Sequence, residues 1–245
     1  MTNVKKAAAA PVRHSGFVTY SSFGFRHSSF FVWEAFTLIE LIVVIAIIII
    51  LAGLVLSTVG YVQKKGARSR AETEIAAMSA ASESYKADNG VYPRPQPQPN
   101  TTTDILDART MGNPNNIYGM ASYKTESLIL YRALSGDRNL DRVVNVMDEN
   151  FDIDGTTLGT PLTQLPQIYF SFKPNQLSPA DQNQSVQYIR DPFGNSYGYS
   201  TANQADPITP KGYNPTFDLW STSGISADPP GPPPDRITPQ WIKNW

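Results

Sequence analysis

A chain of 245 residues with 20 Lys and Arg against 21 Asp and Glu, formal net charge -1, has no broad basic field, so no nucleic-acid partner is expected. It contains no cysteine, which excludes disulfides, zinc–thiolate centres and cysteine nucleophiles together. Its two histidines, His14 and His27, both precede Phe36. If the chain is cut there, it loses the usual general bases as well, and no enzyme is expected.

Residues 1–35 hold Lys5, Lys6, Arg13 and Arg26 against Glu34, a net of +3, which leaves -4 for the remainder. That asymmetry puts the N-terminus on the cytoplasmic side of a membrane and the remainder across it. No uninterrupted apolar core precedes Phe36, unlike an ordinary secretory signal, whose apolar region lies before its cleavage site. The apolar run comes next: Phe36 to Val59 reads FTLIELIVVIAIIIILAGLVLSTV. At about 1.5 Å per residue it makes a helix of roughly 36 Å, enough to cross a hydrocarbon core about 30 Å thick. Glu40 is its only charge. An ionisable group in a spanning helix needs a partner, and no basic residue lies within the run. A cut between Ala35 and Phe36 would create an α-amino group able to neutralise Glu40 of a neighbouring subunit.

The string AFTLIELIVVIAII resembles the class III signal of type IV pilins and type II secretion pseudopilins. The resemblance implies that residues 1–35 are a leader removed by a prepilin peptidase, that Phe36 becomes the N-methylated mature terminus, and that Glu40 is the fifth-position glutamate of assembly. It also implies a bacterial inner-membrane subunit with a periplasmic C-terminal domain. Such a subunit polymerises with itself or with other pseudopilins, served by an assembly platform and its ATPase machinery. Ala35 stands where the family usually has Gly, and Glu34 where a neutral or basic residue is commoner.

Residues 36–60 are thus the transmembrane half of a long helix and 61–90 its amphipathic half. In the latter, Ala67, Ala71, Ile75, Met78, Ala81 and Tyr85 recur every three or four residues. Lys64, Lys65, Arg68 and Arg70 cluster just past the apolar run, as an interfacial anchor or a contact for acidic patches on neighbouring subunits. Gly53 and Gly60 are the places for bending. Asn89, Gly90 and Pro93 stop the helix. Tyr85, Asp88, Gly90, Tyr92 and Pro93 match the YxxDxGxYP pattern that pseudopilins carry at this point, with Tyr92 packing back on the helix. Residues 94–100 read as a polyproline spacer.

Residues 91–165 are a variable insertion by that comparison. Within it Lys124–Leu134 forms a short helix with Leu128, Tyr131 and Leu134 on one face, ending at Gly136. In DENFDIDGTTLG, the residues Asn150, Asp152, Asp154 and Gly155 fit the start of a calcium loop, although Pro161 occupies its twelfth position; an acidic, hydrated turn is the other reading. From residue 166 to 245 the pattern is strand-like. Ile168, Phe170 and Phe172 alternate with Tyr169, Ser171 and Lys173, two strands flank the turn Asp191–Asn195, and Thr216–Trp220 is a further strand. The closing segments DPFGNSYGY, FDLWSTSG and WIKNW resemble the C-terminal region of the major pseudopilin, where a loop closes around calcium. Here Ser223, Asp228 and Asp235 are the candidate ligands, with proline rigidity and packing of Trp241 and Trp245 as the alternative to Ca2+.

The expected fold is α+β: a long N-terminal helix packed on a small antiparallel sheet, as in pilins. The expected function is a structural subunit of a pseudopilus or pilus-like filament. A single-pass, membrane-anchored binding module for carbohydrate or DNA is the alternative.

Overall fold

The computed structural model describes residues 36–95, 103–109, 120–160, 162–208, 211–225 and 240–245. The chain divides into two units, Met1–Ala52 and Gly53–Trp245. Helix α1, Leu38–Asn89, contributes to both. In the first unit its apolar residues are exposed side by side, from Leu38 to Leu51. Among the described residues this is the one helix long and apolar enough to cross a membrane. A run so rich in isoleucine and valine has weak intrinsic helix propensity, but in lipid only a helix satisfies every backbone N–H and C=O within the segment.

The second unit begins on the same helix, where one stripe turns inward: Ala71, Ile75, Met78, Ala81 and Ser82 are buried, and Ala67 and Tyr85 are half-buried. The helix stops as its sequence dictates. Gly90 has φ +78° and donates its N–H to the Lys86 carbonyl at 2.7 Å, the left-handed closure that costs glycine least. The chain then folds back. Tyr92 is buried, its hydroxyl donates to the Glu83 carboxylate at 3.0 Å, and the Lys86 ammonium lies 4.3 Å above its ring. Arg94, the first residue of the expected polyproline spacer, is buried in an ion pair with Asp104 at 2.6 Å. Residues 96–100 of that spacer lie outside the described residues.

Helix α2, Met120–Ser135, is longer and more deeply set than its sequence suggests. Leu130, Tyr131 and Leu134 join the α1 stripe in one core cluster, while Ile129 and Ala133 pack in another and Tyr123 in a third. Buried on several sides, α2 is a central element, and no single face describes it.

Among the described residues two antiparallel sheets pack around these helices. Strands β1 (Leu177–Ser178) and β2 (Tyr188–Ile189) pair as Leu177 with Ile189. Strands β3 (Gly198–Ser200), β4 (Asp218–Ser221) and β5 (Ile242–Lys243) form the second sheet in that order. Tyr197, Tyr199, Leu219 and Ile242 meet Ala71, Ile75 and Met78 in the core, the helix-on-sheet packing expected from the alternation. The β2–β3 turn is built by Asp191, whose Oδ1 accepts the N–H groups of Phe193 and Asn195 at 3.0 and 2.8 Å, while Oδ2 accepts the Ser221 hydroxyl at 2.6 Å. One expectation fails: residues 166–173 form no strand. The N–H groups of Tyr169 and Phe170 both donate to the Leu134 carbonyl, at 2.8 and 2.9 Å, so this stretch caps the end of α2 as irregular chain. Ile168, the expected inward residue, is exposed, whereas Tyr169 packs its ring on Tyr85 at 5.3 Å.

The C-terminus is bound to the sheet by specific bonds. The Asn244 side chain accepts the Leu219 N–H at 2.9 Å and donates to the Phe217 carbonyl at 3.2 Å. Trp241 stacks parallel to Trp220 at 6.4 Å, and Trp245 lies flat on Tyr213 at 4.9 Å.

Candidate functional site

Three places carry the candidate chemistry. At the start of α1, Thr37 and Glu40 form a reciprocal cap. The Thr37 N–H and hydroxyl both donate to Glu40 Oε2 at 2.8 Å, and the Glu40 N–H donates to Thr37 Oγ1 at 3.3 Å. This is a capping box: the Glu40 carboxylate satisfies the Thr37 N–H, and the Thr37 hydroxyl oxygen satisfies the Glu40 N–H. Its sequence signal, Thr37-x-x-Glu40, was present beside the apolar run. Glu40 thus has a local role within one chain as well as the one expected between chains. Ala35 lies outside the described residues; Phe36, next to it, is exposed.

The basic cluster beyond the apolar run is partly committed within the chain. Arg68 pairs with Glu72 at 3.1 Å and donates to the Gln240 carbonyl at 2.7 Å; Arg70 pairs with Glu74 at 3.3 Å. Glu74 also accepts the Tyr197 hydroxyl at 2.7 Å, tying α1 to the first residue before β3. Of the C-terminal loop, Ser223 has φ +58° and its hydroxyl donates to the Gln240 carbonyl. Asp228 and Asp235 lie outside the described residues. Trp241 and Trp245 pack against Trp220 and Tyr213 in this region.

The third place is the acidic loop after α2. Asn150, Asp152 and Asp154 sit in a tight hairpin, bridged by Phe151 and Thr157. Asp152 Oδ1 accepts the Ile153 N–H at 2.7 Å and Asp154 Oδ1 accepts the Thr156 N–H at 2.7 Å. These carboxylates build the turn, and among the described residues they are not the ones that converge. The residues that do are Asp137, Asp141 and Glu149, whose carboxylate oxygens lie within 4.8 Å of one another. Asp137 accepts the Tyr131 hydroxyl at 2.7 Å and the N–H groups of Leu140 and Arg142 at 2.7 and 2.8 Å. Burial pushes Asp137 above the ordinary carboxylate range, those donors opposing it. Burial likewise raises Glu149 to about 7, with Asp137 and Asp141 adding to the rise. The sequence signal for this group was the alternation Asp137-x-Asn139-x-Asp141, upstream of DENFDIDG, which itself supplies Glu149.

Compared with family models, with characterised proteins and with solved structures, the chain matches none.

Proposed function

We propose that this protein is a prepilin-like structural subunit, cut before Phe36 and polymerised into a pseudopilus or pilus-like filament through the apolar part of α1. One observation carries the reading. Helix α1 runs unbroken over Leu38–Asn89, exposing an apolar run with a single carboxylate and then burying a stripe in a folded domain. A simple anchor needs about 20 apolar residues and no glutamate. A helix that first sits in lipid and later packs against copies of itself accounts for both the exposed apolar run and the charge. The open, head-to-tail repetition of one interface then gives a filament. In this reading the prepilin peptidase, the assembly platform and its ATPase are separate proteins, and the subunit performs no catalysis.

The test separates the two roles of Glu40. Glutamine keeps the capping box, because its amide oxygen accepts the same Thr37 donors, but it removes the charge. Expressed with a prepilin peptidase, Glu40→Gln is expected to be cut and inserted normally and to assemble at least tenfold less filament, scored by shearing and electron microscopy. Mass spectrometry of the wild type should find a methylated Phe36 terminus. Normal filament from Glu40→Gln refutes the amine pairing, and an uncut wild-type chain refutes the whole assignment.

A further inference from the structure

The loop leaving α2 gathers charge that filament assembly does not use. Asp137 and Glu149 are buried, Asp141 is exposed, and their carboxylates come within 4.8 Å of one another. Like charges so close in a poorly solvated place repel. Arg132 attracts Asp137 without forming an ion pair with it, and the arginines within the loop donate to carbonyls. Arg138 donates to the Phe151 carbonyl at 3.0 Å, and Arg142 to the carbonyls of Gln184 and Pro179 at 2.9 and 2.6 Å. Among the described residues no ion pair includes any of the three carboxylates.

A second observation points independently to a ligand. The Glu149 side chain is completely buried, and while Oε2 accepts the N–H groups of Arg138 and Asn139, Oε1 has no hydrogen-bond partner. A buried carboxylate oxygen without a donor is costly to maintain, and Glu149 is one of the three converging residues. The backbone suits the same end. Oxygen-bearing side chains fall at alternate positions, Asp137, Asn139 and Asp141, and the next residue, Arg142, has φ +76°. In a calcium loop the first, third and fifth residues supply oxygens and the sixth makes the sharp turn, usually as glycine.

We propose that Asp137, Asp141 and Glu149 bind a calcium ion. Calcium takes oxygen ligands at about 2.3–2.6 Å, so oxygens on opposite sides of one ion stand roughly 4.6–5.2 Å apart. A separation of at most 4.8 Å lies within the span of oxygens that share one calcium ion. Three carboxylates, two of them buried, favour calcium over magnesium, which holds its waters and usually takes one or two carboxylates. The ion would clamp residues 137–149 onto the end of α2, where Asp137 already holds the Tyr131 hydroxyl. This site is separate from the hairpin at Asn150–Asp154 and from the C-terminal loop, and it stands whether or not the subunit polymerises.

The test is the thermal midpoint of the full chain in detergent micelles, with chelator, with calcium alone and with magnesium alone, followed through tryptophan fluorescence. Calcium at about 100 times its Kd is expected to raise the midpoint by roughly 5–10 °C. Asp141→Asn, at an exposed position, and Glu149→Gln are each expected to cut calcium affinity at least tenfold. The double change Asp228→Asn, Asp235→Asn should leave the shift in place. No calcium shift in the wild type overturns the proposal. So does a shift that survives Asp141→Asn but vanishes in the C-terminal double variant, and a full shift from magnesium overturns the choice of ion.

Discussion

Glu126 lies in the middle of α2, almost fully buried, and its Oε2 has no hydrogen-bond partner. Burial pushes its carboxyl to about 9 from an ordinary 4.5. The folded chain therefore holds a proton that the unfolded chain releases above pH 4.5, and stability from this group is intact below that value and declines as pH rises toward 9. The slope is about 1.4 kcal/mol per pH unit, so at pH 7 the wild type has lost roughly 3 kcal/mol relative to a side chain that never ionises. Glu126→Gln is such a side chain. Its amide adds a pH-independent cost of about 1–3 kcal/mol for an imperfectly bonded buried group. The difference between variant and wild type should then shift in favour of the variant by about 4 kcal/mol between pH 5 and pH 8. For a chain of this size that is roughly 10 °C in relative Tm. Near-ultraviolet circular dichroism melts of both proteins in micelles measure it, and other titrating groups cancel in the difference. Parallel pH–Tm curves would show that Glu126 is ionised in the folded state and would refute the reasoning.

Gly198→Ala drives a Cβ into the Trp220 ring across the β3–β4 pair. Because that ring is wedged against Trp241 and Tyr123, the change should cost about 3 kcal/mol or more, seen as a lowered Tm and an altered tryptophan emission. Asp104→Ala breaks the buried Arg94–Asp104 ion pair and is expected to cost about 3–5 kcal/mol by thermal unfolding, whereas a change confined to the exposed Arg68–Glu72 pair should cost under about 1 kcal/mol.

Much of α1 was legible in the sequence because its signals are local. Apolar length, the inward stripe from Ala71 to Ala81 and the Asn89–Gly90 stop each depend on residues within a turn or two of one another. The strands at β3 and β4 were also readable, from alternation and from the Asp191–Asn195 turn. The stretch around Ile168 alternated just as well and still made no strand, because its N–H groups found the open end of α2 instead. Alternation records which residues prefer burial; it does not say which acceptor is near.

The candidate sites divide in the same way. Glu40 stood out because a lone charge in an apolar run is conspicuous without a fold, and its capping partner Thr37 is only three residues away. The acidic group spans two segments: in DENFDIDG the Asp152 and Asp154 carboxylates hold a hairpin, while Glu149 of the same run comes close to Asp137 and Asp141. Convergence of Asp137 and Asp141 with Glu149 depends on how the chain returns to the end of α2, a distance no spacing rule covers. The sequence alone determined a spanning-length apolar helix with a single charge, because hydrophobic run length and a charge within it are properties of consecutive residues. Only the tertiary structure decided that α2 is buried on several sides, that the C-terminal tryptophans close the sheet, and which carboxylates face one another, because burial and proximity are set by segments far apart in the chain.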